Sequence, residues 1–267
     1  MAVAQTHTVR CLDVRPVAAV PGPALDEEVG YALVVGRTSG ALHRGSYLGV
    51  TFRRPDALPT GDDTAALGLL RRYYGRPPRG SSTYTGAAFD GWDSTGTRTV
   101  DADRFTADDL VAVTFLSVRT PGPAAILILR DKADEINAML AAIGPDRDLV
   151  DEPPITPGWP AGRLNSRLRK LDRVGPVIAS KLLARKRPRL VPIWDAVVAK
   201  VTGTEVDQWV PLRAALAEDD RALHERLLGL REAAGLPEQV SALRVLDVVC
   251  WMEGKDKGYR SRAMTAR

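Results

Sequence analysis

The stretch from Leu171 to Asp195, LDRVGPVIASKLLARKRPRLVPIWD, constrains the fold of this chain more than any other. Leu164, Leu168 and Leu171 recur at i, i+4 and i+7, so they form one buried stripe of a helix. Gly175 then permits a tight turn. Pro176 suits the first position of a second helix, where its missing N–H removes no hydrogen bond. Ile178, Leu182 and Leu183 give that helix its own apolar stripe. Pro192 precedes a third helix, with Asp195 at its start. The spacing thus predicts two helices joined by a hairpin. The first N–H groups of the second helix lack intrahelical acceptors, which is how helix N-termini hold phosphate.

The charge distribution agrees with a phosphate-binding reading. Between Ala161 and Lys200 there are eleven basic residues against two acidic ones, whereas 131–160 holds two basic against seven acidic. The whole chain carries only a net charge of +4, with 30 arginines and 7 lysines. A compositional bias toward arginine would spread evenly, so this segregation predicts a local basic face that neutralises phosphates.

The rest of the chain is helical in pattern. Periodicity predicts helices near 62–75, 106–118, 132–143, 161–171, 176–186, 193–202, 205–217, 219–234 and 238–252. Thr106 with Asp109 has capping-box spacing. The helix 106–118 is apolar nearly all round, which marks it as a central core helix. Gly235 fits a helix stop. Residues 76–104 are rich in Gly, Pro, Ser and Thr. They hold Tyr84 and Phe89 beside Gly86, which makes both aromatics candidates for a base pocket. Residues 1–50 read as an irregular arm or small appended element, with one short strand candidate at Tyr31–Gly36. The fold expected is mostly α, a helical hairpin core of about eight to nine helices over 51–253, followed by a basic flexible tail at 254–267.

The hairpin resembles that of the helix-hairpin-helix superfamily of DNA glycosylases, mainly over 164–201. The superfamily pattern is hydrophobic-x-Gly-hydrophobic-Gly, then Ala in the second helix, then apolar-Pro-x-x-Asp; Gly175, Ala179, Pro192 and Asp195 match it. Arg173 replaces the first hairpin glycine and Ile178 the usual threonine. Val177 stands where one branch carries a catalytic lysine, so Schiff-base lyase chemistry is not implied. The segments Tyr84–Phe89 and Lys181–Pro188 are also similar to an uncharacterised actinobacterial family, which supplies no function.

The resemblance implies a monofunctional DNA base-excision glycosylase without a cofactor. It would hold double-stranded DNA through Gly175, Val177, Ala179, Lys181, Arg185, Lys186 and Arg187, with Asp195 as the catalytic carboxylate. Such a carboxylate stabilises an oxocarbenium-like sugar. Asp is equally a common helix N-cap, so Asp195 keeps two readings. Two alternatives to the enzyme stay open: a non-catalytic DNA-binding module on the same scaffold, and a protein-interaction module whose basic face meets an acidic partner.

The composition excludes several classes. Cys11 and Cys250 form no disulfide framework and hold no iron–sulfur cluster. His7, His43 and His224 have no metal-ligand spacing, so no metal is expected. No apolar run is long enough to span a membrane, and the N-terminus has no secretory pattern. These features predict a monomer in the cytoplasm, associated with the nucleoid.

Overall fold

Residues 50–75 and 84–260 are described in the computed structural model, and the strand candidate at Tyr31–Gly36 lies outside them. Ten α-helices follow one another: α1 Thr64–Tyr74, α2 Ala107–Thr114, α3 Gly122–Ile126, α4 Ala133–Ala141, α5 Pro160–Arg169, α6 Pro176–Lys186, α7 Ala196–Thr202, α8 Trp209–Ala217, α9 Ala222–Ala233 and α10 Ala242–Asp256. Among the described residues there is no strand. A π-helical turn, Leu127–Asp131, continues α3.

The caps explain several boundaries. Gly75 and Gly235 take positive φ, at 83° and 68°, and end α1 and α9 as their sequence position predicts. Thr106 and Asp109 form the expected capping box at the start of α2. That helix is shorter than the predicted 106–118, because Ser117 turns left-handed at φ 61° and breaks the spiral.

The centre of the molecule is α10 rather than α2. Every residue from Ala242 to Gly254 is buried except Trp251, which is half-buried, and α10 packs against α1, α7 and α9. On α2 only Asp109, Ala112 and Val113 are buried, while Val111 is exposed. Apolarity all round did not distinguish the two helices. What does is close packing: a Cβ on Gly254 would overlap Val197 Cγ1, so only glycine lets α7 approach α10 there. α10 runs to Asp256, past the predicted start of the tail at 254. Among the described residues, no helix is long and apolar enough to cross a membrane.

Candidate nucleic-acid interface

The hairpin forms between α5 and α6. Leu164 and Leu168 are buried along α5, and Leu171 and Val174 seal the turn beneath it. The Val174 N–H donates to the Leu171 carbonyl at 3.0 Å. The left-handed residue is Arg173, at φ 59°. Gly175 is the N-cap of α6 in ordinary extended backbone, φ −82° and ψ 179°, so the turn does not require glycine there. The conformational demand thus falls on Arg173. Pro176 opens α6 as expected. Gly175, Pro176, Val177 and Ile178 are all partly exposed, and Arg169, Lys170 and Arg173, which precede them in the turn, are exposed.

Beyond Ile178 the expected basic face does not exist. Ala179 to Arg187 are all buried. Arg185 and Arg187 are 2% and 1% exposed, and Lys181 and Lys186 are 3% and 6%. The reason lies in the irregular segment 84–105. Packed against α6, it presents main-chain carbonyls that no helix or sheet satisfies, and such groups need donors. Arg185 donates to the Phe89 carbonyl at 2.8 Å and to that of Trp92. Lys186 donates to the Asp101 carbonyl at 2.9 Å. Arg187 donates to the carbonyls of Ala102 at 2.8 Å and Gly144 at 2.7 Å, and pairs with Asp103. Asp109 neutralises two of these cations, with its Oδ1 3.3 Å from Arg185 and its Oδ2 2.6 Å from Lys186. Lys181, Arg185, Lys186, Arg187 and Ala179 are therefore sealed from solvent rather than displayed to phosphate; of these, Arg185, Lys186 and Arg187 fasten the loop to the hairpin helix.

Asp195 takes the cap position. Its side chain accepts from the Val197 N–H at 2.9 Å at the start of α7, and its other oxygen lies 3.6 Å from Lys181 Nζ. Lys181 also donates to the Leu116 carbonyl at 2.9 Å. Burial pushes the Lys181 ammonium below its ordinary range, with Asp195 and Asp247 opposing the shift. Sequence reading brought Lys181 and Asp195 into one segment, but not into contact.

Tyr84 and Phe89 separate. Tyr84 stacks on Tyr73, ring centroids 5.2 Å apart, and lines a cleft of about 490 Å³ together with Tyr74, Asp90, Leu236 and Gln239. Phe89 is buried instead, 6.0 Å from the Arg185 guanidinium and 5.6 Å from that of Arg244, so it is no pocket wall of that cleft. The cleft is lined without Asp195, and its lips Gly75 and Tyr84 bound residues 76–83, outside the described residues.

Behind the cleft lies a group of residues that sequence reading missed. Arg244 on α10 holds Asp90 at 3.1 Å, pairs with Asp247, and donates to Tyr73 Oη at 2.8 Å and the Gly86 carbonyl at 2.9 Å. Burial works against its charge, but Asp90 and its neighbours outweigh that and hold the guanidinium above its usual range. The Tyr74 hydroxyl donates to Asp90 at 3.0 Å. The available signal was the charged pair Arg244 and Asp247 within the otherwise apolar stretch Ala242–Met252. Among the described residues no cluster of His, Cys, Asp or Glu has the arrangement of a metal site.

No curated protein and no solved structure matches the chain. One family model does: that of the family of unknown function DUF6308 matches residues 66–254, from α1 to the last turns of α10, and the chain belongs to that family.

Proposed function

We propose that this protein binds duplex DNA through the α5–α6 hairpin, as a helix-hairpin-helix module without base-excision chemistry. The observation that carries the reading is the hairpin turn itself. Arg173 is left-handed, Gly175 extended and Pro176 at the first helical position, so the free N–H groups of the first turn of α6 meet solvent beside Arg169, Lys170 and Arg173. A helix N-terminus flanked by exposed cations suits a phosphate diester. The reading departs from an enzyme because Asp195 is 7% exposed, engaged as a cap, and opposite Lys181. A carboxylate so engaged supports the cap reading of this residue over the catalytic one.

The test is fluorescence anisotropy on a short duplex across a salt series. Replacing Arg169, Lys170 and Arg173 by Ala weakens binding. It also flattens the dependence of log affinity on log salt by about 2–3, at about 0.9 for each phosphate that is no longer neutralised. Lys186→Met leaves the slope unchanged, since that side chain is sealed inside. An unaltered slope in the triple variant overturns the reading. Base release from damaged duplexes by the wild type, abolished in Asp195→Asn, restores the glycosylase.

A further inference from the structure

Arg163, Arg167, Arg169, Lys170 and Arg173 follow one another along α5 and into the hairpin turn. Leu164, Leu168 and Leu171 take the buried side. Arg163, Arg167 and Lys170, at i, i+4 and i+7, therefore form one line beside them. The line is about 10 Å long at 1.5 Å per residue, and it ends at the hairpin turn. Among the described residues, only Arg167 of these cations holds a carboxylate. Its Nε lies 2.5 Å from Glu135 Oε1, and its Nη2 donates to Glu135 Oε2 at 3.1 Å. Glu135 stands in the first turn of α4, where the helix N-terminus favours an anion. The hydrogen bond from Arg167 holds its carboxyl below the usual range, so the pair stays charged at neutral pH. The two side chains are 21% and 46% exposed, which leaves both within reach of a partner. A guanidinium offers phosphate the same two parallel N–H bonds that it offers carboxylate.

We propose that Arg167 is a further phosphate contact of the hairpin, masked by Glu135: the carboxylate fills the guanidinium fork that a backbone phosphate of the duplex would otherwise take. The inference rests on the DNA-binding reading of the hairpin. While the pair is closed, the duplex is held by the exposed cations of the turn alone. Once Glu135 gives way, the line from Arg163 to Lys170 is continuous and gains one phosphate. Glu135 thereby sets how tightly the DNA backbone is held, with no effect on base preference, since contacts to phosphate carry no sequence information.

The experiment measures duplex affinity across a salt series for the full chain, Glu135→Gln, Arg167→Ala and the double variant. The pair lies at the surface, where ion pairs add little stability, so the variants keep the fold. Glu135→Gln is expected to bind more tightly and to steepen the slope of log affinity on log salt by about 0.9, the value of one phosphate. Its advantage over the wild type then shrinks about threefold between about 50 and 200 mM salt. Arg167→Ala alone is expected to leave the wild-type slope unchanged, and the double variant to return to it. A slope unaltered by Glu135→Gln overturns the mask. So does a gain that survives in the double variant, which is the general effect of losing a negative charge, and so does a flattened slope in Arg167→Ala alone. If replacing Arg169, Lys170 and Arg173 by Ala leaves the slope unaltered, the hairpin reading fails and the mask with it. If that triple variant flattens the slope while Glu135→Gln changes nothing, the mask alone fails.

Discussion

Lys186 Nζ lies 2.6 Å from Asp109 Oδ2, with both side chains sealed from solvent. The same carboxylate accepts from the Thr106 N–H at 2.8 Å, and so caps α2. One acid therefore starts a helix, neutralises two cations of α6, and fixes the loop that those cations bind. Asp109→Ala leaves Arg185 and Lys186 buried with no carboxylate. A loss of about 3–5 kcal/mol is expected in urea unfolding, the usual penalty for orphaning a buried charge. A loss under about 1 kcal/mol shows that the loop carbonyls alone suffice.

Arg173→Gly separates stability from binding. A non-glycine residue in the left-handed region costs about 1 kcal/mol, so glycine there stabilises the hairpin by about 0.5–1 kcal/mol after its own chain entropy is counted. The melting temperature rises. DNA affinity falls, and its salt slope flattens by about 0.9, because one cation no longer reaches a phosphate.

Gly86→Ala disturbs the group around Arg244. A Cβ at this position would overlap Tyr73 Oη, which accepts from Arg244. Overpacking of this kind costs about 1–3 kcal/mol. Gly86→Ala with Tyr73→Phe removes the clashing hydroxyl, and recovery of part of the loss, read by thermal melts, identifies the clash as the cause.

Asp146 accepts from the Arg189 N–H at 3.1 Å, and burial pushes its carboxyl up to about 6. Its folded value lies above the unfolded one, so its contribution to stability declines as pH rises from about 4 to 6. Asp146→Asn keeps the acceptor for Arg189. The variant is expected to gain stability over the wild type at pH 7–8 and to match it near pH 4, as followed by thermal melts across pH.

Much of the helical order was legible. Gly75, Gly235, the Thr106–Asp109 box and Pro176 stand where local rules put them, because a cap is settled by residues within one turn of each other. The burial of α6 was not legible. Its periodicity describes an amphipathic helix, and the charge count describes a basic face, but neither contains the loop 84–105 that covers that face. Loop carbonyls leave no mark in sequence, so Arg185 and Arg187 read as solvent cations. The strain at the hairpin was missed for a similar reason: Gly175 drew attention as the glycine, while the turn geometry places positive φ two residues earlier, at Arg173. The Arg244–Asp90 pair joins residues 154 apart in the chain, a distance no local pattern spans.

The hairpin as the DNA-binding element is tested most directly by amide chemical shifts of ¹⁵N-labelled protein titrated with a short duplex. The largest changes are expected at Lys170, Arg173, Gly175, Val177 and Ile178, diminishing as salt is added, while the buried amides of Arg185 to Arg187 stay in place. Shifts confined to the cleft around Tyr84, or none at a DNA concentration well above that of the protein, contradict DNA binding through the hairpin.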